Sequence, residues 1–432
     1  MKKTLAMLLA LVMLFGLAAC NGKTDAGGTS NPGTSTPGTS APNTDAPSTP
    51  EPADTTPELT GEPIKIGHIC DLTGTEAMSG MESKRSLEFA AEHLSGIAGR
   101  PVEIITRDAL GTANGAADAA RMLVESDEVV AVLGPTQAGQ KSAVSEYCAE
   151  AGVPLIFYSG TPTYLFATNP WLIGSGGANP QMTVMADYAY NELGYRTVNI
   201  LTMDNIGFKT FTDDFTKAFE ALGGKVSKAA YAPFPCDDWA PYLIALDHEA
   251  DAIMAWTTGT NAIALWQNWH QMGLYETMPM TAIMQSAFID DYILEALEAN
   301  YPAVVEYILG TCAPSACVYS TGTPENDAFV EAYQAEFGEM PSNNISGQVY
   351  QAYQLLKTAI ESIDGNTEAE AVRDAILACE IDGPAGHMSF DDSGACTKDV
   401  FIVKSVRLDD GSYNFEVAKT YEDVPPSGLL GN

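Results

Sequence analysis

The sequence predicts an α/β protein of two doubly wound lobes, and three observations carry that reading. Short apolar, β-branched runs alternate with helix-length amphipathic segments from Ile64 to Leu297. The alternation falls into two series of the same build, one ending near Pro162 and one beginning at Thr197. The part that reads as folded is about 370 residues, more than one core serves well, so two lobes are expected.

The first series opens with a strand from Ile64 to Ile69, the loop Asp71-Leu72-Thr73-Gly74 and a helix from Glu82 to Leu94. Leu87, Ala90, Ala91 and Leu94 share one face of that helix. Val102 to Thr106 is the next strand and Ala113 to Val124 the next helix. Val129 to Leu133 is short, apolar and β-branched, as a strand buried on both faces should be. It runs into Gly134-Pro135-Thr136-Gln137 and a helical pattern to Glu150. Val153 to Phe157 repeats the strand signal before Ser159-Gly160-Thr161-Pro162, where Thr161 reads as an N-cap and Pro162 as a first helical residue. Both loops place hydroxyls and free backbone N–H groups where a strand ends and a helix begins. In an open parallel sheet, ligands bind there, and such helix starts favour a carboxylate or another small anionic or carbonyl group.

The second series predicts a helix over Gln181 to Leu193 and strands over Thr197–Thr202, Val226–Tyr231, Ala252–Trp256 and Met280–Met284. The helices between them end at Gly223-Gly224, span Trp239–Leu246 and Asn261–Met272, and run on to Leu297. A strand is expected over Val305 to Gly310, then helices over Asn326–Phe337, Ser346–Ile363 and Ala369–Cys379. Val400–Arg407 and Tyr413–Lys419 read as strands joined by the turn signal Asp409-Asp410-Gly411.

Residues 1–19 read as a leader: Lys2 and Lys3, then an apolar run from Leu5 to Leu17, short for a membrane span. Leu17-Ala18-Ala19-Cys20 resembles a bacterial lipobox, which makes Cys20 the lipidated new N-terminus. Residues 20–62 are rich in Gly, Ser, Thr, Pro and Asp and hold almost no large apolar side chain, the composition of a disordered tether. The expected location is a lipid anchor on the extracellular face of a Gram-positive type membrane. The net charge of −35 argues against nucleic acid and anionic lipid surfaces as partners. Besides Cys20 there are seven cysteines, without CxxC or zinc spacing. Two readings stand: staples at Cys312–Cys317 and Cys379–Cys396, or seven buried thiols. The five dispersed histidines and the lack of GxSxG, HExxH, P-loop or GxGxxG motifs point away from an enzyme, a metal or a cofactor. Trp256, at a strand end of the second series, is expected to pack in the core.

The order of these motifs resembles the branched-chain amino-acid binding protein family, the type I solute-binding proteins of ABC importers. The resemblance rests on Ile64-Lys65-Ile66-Gly67 with Leu72-Thr73-Gly74, on Val132 to Thr136, and on Val153-Pro154 with Ser159 to Pro162. Asp204 to Phe208 with Leu222-Gly223-Gly224, and Gly383 to Gly386 with Phe390 to Gly394, complete it. The resemblance implies two Rossmann-like lobes joined by a three-strand hinge. One lobe would hold residues 63–182 plus 316–385, the other 183–315 plus 386–432. It implies a monomer that closes on a small polar solute and presents it to ABC permease subunits. A ligand sensor on the same fold, signalling to a membrane partner, is the alternative.

Carried onto this chain, the family's ligand positions fall on Ser79, Thr136, Gln137, Ser159, Gly160 and Thr161 in the first lobe. In the second they fall on Ile206, Phe208, Thr257 and Gln285. Family members place an acidic residue for an ammonium where this chain has Gln285 and Ser286. That departure points from a free α-amino acid towards amides, urea-like solutes or carboxylates without an amine. Asp71, Asp108 and Asp204 are the other acidic candidates.

Overall fold

A strand buried along nearly its whole length needs a sheet covered on both faces, and the chain supplies one. A computed structural model describes residues 59–431 apart from 75, 177, 286–287, 318, 320–321 and 343–344. The leader, Cys20 and nearly all of the tether lie outside the described residues, as does Ser286. Strand β1 (Ile64–Cys70) is almost wholly buried, between β2 (Val102–Asp108) and β3 (Ala131–Leu133). Helix α1 (Ala77–His93) joins β1 to β2, and α2 (Ala113–Glu125) joins β2 to β3. Helix α3 (Ala138–Ala151) leads to β4 (Leu155–Phe157), and β5 (Leu172–Gly174) closes the sheet in the order β2-β1-β3-β4-β5, all parallel. The three-residue strands β3, β4 and β5 are buried throughout, so their apolar side chains face helices on both sides.

After α4 (Ala178–Asn191) a second parallel sheet follows. Its strands are β6 (Thr197–Met203), β7 (Lys225–Ala232), β8 (Ala252–Trp256) and β9 (Met280–Ala282), in the order β7-β6-β8-β9. Helices α5 (Ile206–Ala221), α6 (Ala240–Ile244) and α7 (Thr260–Gln271) connect them, and α8 (Asp291–Glu298) follows β9. The strand expected over Val305–Gly310 is instead helix α9 (Pro302–Ile308). Pro302 is preset for a first helical turn, and Val304, Val305 and Ile308 then bury one face at helical spacing.

A third, antiparallel sheet is built from β10 (Cys312–Ser315) and the last strands of the chain. Helices α10 (Pro324–Phe337), α11 (Ser346–Ser362) and α12 (Ala369–Leu377) come first, with α11 packed on α1. Then β11 (Ile381–Gly383), β12 (Gly386–Phe390), β13 (Cys396–Arg407) and β14 (Tyr413–Val424) assemble in the order β10-β13-β12-β11, with β14 on β13. This sheet enters both cores. Ile381 and Met388 are buried with Ile64, Leu133 and Val349, whereas Val400 to Val403 are buried with Val198, Ile253 and Trp266. Gly174 at the edge of the first sheet also bridges to Ala395. All seven described cysteines are free, so the staples Cys312–Cys317 and Cys379–Cys396 are not formed, and six of the seven thiols are buried.

Candidate functional site

Parallel strands point their C-terminal ends at one edge, so the loops after β3 and β4 lie side by side. Gly134, with φ +83°, begins the first loop; a Cβ there would sit 2.3 Å from the Ile69 carbonyl oxygen. Thr136 follows, half-buried, with Oγ1 3.3 Å from the Tyr158 hydroxyl. Tyr158 Oη is 2.7 Å from Ser83 Oγ and 3.2 Å from His68 Nε2, so a polar chain runs from the loop into the core. His68 is a satisfied core histidine; burial lowers its pKa to about 3.

The second loop is tied to the first. Ser159 Oγ donates to the Thr136 carbonyl at 3.2 Å. Lys141, on the first turn of α3, donates to Ser159 Oγ at 2.9 Å, to the Ser159 carbonyl at 3.1 Å and to the Gly160 carbonyl at 2.6 Å. Gly176 holds the same loop from the other side. A Cβ there would meet Ser159 backbone atoms at 2.3 to 2.5 Å, which leaves no room for any side chain. Thr161 does not cap a helix: its hydroxyl donates back to the Ser159 carbonyl at 3.2 Å, and only a short 3-10 turn follows at Thr163–Leu165. Pro162 precedes that turn rather than opening a longer helix. Thr161 also lines a cavity of ≈ 290 Å³ with Phe166, Gly174, Asp391 and Ser393, towards the third sheet.

Glu76 lies just before α1 and was not among the sequence candidates. Its carboxyl is bonded to the side chain of Gln137, the N-cap residue of α3. Burial and the neighbouring Asp71 raise the Glu76 pKa. Glu76 also acts electrostatically on Tyr292 of α8, whose hydroxyl bonds the Gly259 backbone at the start of α7. Gln137, Glu76, Tyr292 and Gly259 therefore link the loops of the first sheet to those of the second. Helices α3 and α5 touch as well.

The second wall is more apolar. Ile206 opens α5 and is 66% exposed. Asn205 caps α5 through the Phe208 N–H, and Phe208 packs on Trp256 with ring centroids 4.2 Å apart. Trp256 is buried, as expected. Thr257 is fully buried, and its hydroxyl has no hydrogen-bond partner among the described residues. Ser79 is half-buried in the first turn of α1.

Gln285 does something the resemblance did not imply. Its amide bonds the Asp290 carboxylate, and its carbonyl oxygen accepts from Ser315 Oγ at 3.2 Å. It fastens β10 to the loop before α8 and brings a buried carboxylate, Asp290, into that loop. The other acidic candidates are engaged. Asp71 accepts from the Gly111 N–H and Gln140, Asp108 from the Leu72 and Leu110 N–H groups, and Asp204 pairs with Lys209. Among the described residues no cluster of His, Cys, Asp and Glu could hold a metal, and no helix is long and apolar enough to cross a membrane. Ser79 lies on α1, and Ile206 and Phe208 lie on α5.

Residues 63–412 match the family described as periplasmic binding protein. The chain is 22% identical over 374 residues to Leu/Ile/Val-binding protein homolog 6 of Brucella melitensis, covering 85% of this chain and 93% of that one. An ABC transporter substrate-binding protein from Sphaerobacter thermophilus is similar in structure, with a TM-score of 0.76, 29% identity and coverage of 84% and 98%. So is a solute-binding protein of an ABC transporter from R. palustris, solved in complex with 4-hydroxybenzoate. Its TM-score is 0.76 at 21% identity, with coverage of 86% and 100%.

Proposed function

Because this chain belongs to the periplasmic binding protein family, as a type I member of the branched-chain amino-acid kind, we propose that it captures a small carboxylic acid between its lobes. It is a binding protein and not an enzyme. In this reading it acts as a monomer, anchored outside the cell through lipid on Cys20, and hands the solute to the permease subunits of an ABC transporter. The lobes are taken as residues 63–182 with 316–385 and 183–315 with 386–432.

The observation that carries the reading is the joining of two strand-end loops into one wall. Ser159 fastens to Thr136, so the Thr136 hydroxyl and the backbone N–H groups of Gly160 and Thr161 form one polar patch. Beside it, Glu76 and Gln137, with Tyr292 from α8, supply a second polar end suited to an amine or a hydroxyl. A Leu/Ile/Val-binding homolog and a relative holding 4-hydroxybenzoate both suggest solutes with a carboxylate, an apolar body and one further hydrogen-bonding group. Phe208, backed by Trp256, gives the apolar body a surface.

A thermal-shift panel of amino acids, aromatic carboxylates and their amides tests the solute class. Ligand at 100 times its Kd adds about 2.7 kcal/mol to stability, so a true solute gives a plain upward shift. A panel without any shift would defeat the reading. Cys20→Ser tests the anchor: the protein should leave the membrane fraction for the medium, and retention in the membrane would remove lipid from the account.

A further inference from the structure

Lys141 is a buried cation directly behind the first wall of the site. It is 1% exposed, on the α3 face that also buries Val144, Ser145 and Cys148. Its ammonium sits 5.2 Å from the centre of the Phe157 ring. Its three N–H donors are all used, on the Ser159 carbonyl, Ser159 Oγ and the Gly160 carbonyl. Every one of those acceptors is neutral. Among the described residues no carboxylate pairs with it, and burial alone pushes its pKa down to about 7. A buried cation without a counter-charge is costly, and proteins rarely keep one without a use.

The three hydrogen bonds have a directional consequence. In a trans peptide the C=O and the N–H point opposite ways. Drawing the Ser159 and Gly160 carbonyls onto Nζ therefore turns the N–H groups of Gly160 and Thr161 away from it. Neither N–H donates to an acceptor among the described residues. Through Ser159 Oγ the same ammonium also fixes the Thr136 carbonyl. One lysine thus orients the peptides of both loops and leaves their donors pointing outwards.

We propose that Lys141 is the charge-selecting residue of this site: from behind the Ser159–Thr161 loop it commits the cleft to solutes bearing a carboxylate, which supplies its missing counter-charge. The solute meets the loop's N–H groups and the Thr136 hydroxyl, while Lys141 acts through the loop as a positioning residue. This inference rests on the solute-binding reading above and adds to it the residue that sets the selection for charge.

The test uses matched probes: L-leucine with L-leucinamide, and 4-hydroxybenzoate with 4-hydroxybenzamide, each titrated calorimetrically into the full-length protein and its Lys141→Met variant. In the wild type, at least one acid should bind about 100-fold tighter than its amide, the discrimination expected when a charge-assisted contact becomes a neutral one. In Lys141→Met the ratio should fall below about 10-fold, because acid binding weakens while amide binding holds. A merely structural lysine would weaken acid and amide together and leave the ratio unchanged, which would overturn the inference. A wild type that takes an amide as tightly as its acid overturns it as well, with solute binding intact. That arm needs no variant, so a poorly folded Lys141→Met does not shelter the idea. If the wild type binds none of these probes nor any other carboxylic acid in the panel, the solute-binding reading fails and Lys141 loses its role with it.

Discussion

Removing the titrating group from the network behind the first loop, as His68→Gln, gives a change whose size follows from burial. His68 is fully buried, with Nε2 on Ser83 Oγ and the Tyr158 hydroxyl and Nδ1 3.4 Å from Thr106 Oγ1. Burial, assisted by the nearby Lys84 charge, lowers its pKa from 6.5 to about 3. The unfolded chain takes up a proton as pH falls through 6.5, and the folded chain does not until about 3. Within that window the unfolded state holds one proton more, so stability falls by about 1.4 kcal/mol for each pH unit of acidification. Between pH 6.5 and pH 5 the His68 share of the loss is about 2 kcal/mol. Glutamine keeps a hydrogen-bonding side chain and does not titrate, and the carboxylates elsewhere are common to both proteins. Urea melts across that range should therefore show the wild-type advantage over His68→Gln shrinking by about 2 kcal/mol on acidification. A stability difference constant to within about 0.5 kcal/mol would mean that His68 is not held neutral by burial, and the reasoning would fall.

Three further outcomes are expected. Thr136→Ala removes a hydroxyl from the loop patch, and calorimetry should show solute affinity down by about 10- to 100-fold, with the empty protein destabilised by less than about 1 kcal/mol. Gly176→Ala forces a methyl onto Ser159 backbone atoms 2.3 to 2.5 Å away; affinity should fall at least about 10-fold and stability by about 1–3 kcal/mol, although residue 176 lies outside the patch. An aromatic disulfide reagent should reach Cys312, the half-buried thiol, ahead of the other six body cysteines, and all seven after denaturation; fewer than seven in urea would mean disulfides after all.

Much of the fold was legible because buried parallel strands announce themselves. Ile64 to Ile69, Val129 to Leu133 and Ala252 to Trp256 are apolar-rich runs between helix-spaced segments; the first and last are strands throughout, and the second is a strand over Ala131–Leu133. Val305 and Ile308 misled for the same reason, since β-branching favours a strand while Pro302 and helical burial decided otherwise. The strand Leu172–Gly174 is only three residues long and carries no alternation to read. The loops after Gly134 and Ser159 were legible from turn chemistry. Glu76, Tyr292 and Lys141 were not, because a lone charged or aromatic residue has no local signature and acquires its role from neighbours distant in sequence. Lys141 had one overlooked signal: with Val144 and Cys148 it keeps the spacing of a buried helix face. The acid for the far wall was sought at Gln285, but Gln285 serves to hold Asp290.

The β13 strand has a consequence for how the chain comes into being. Val400 to Val403 complete one core, and Ile381 and Met388 just upstream complete the other. A ribosome that has released the first 370 residues has therefore released no finished lobe. Neither half is a transplantable module, and a cut before β11 removes part of both. Synthesis from the N-terminus leaves the core around Ile64 and Leu133 without Ile381 and Met388 until late in the chain.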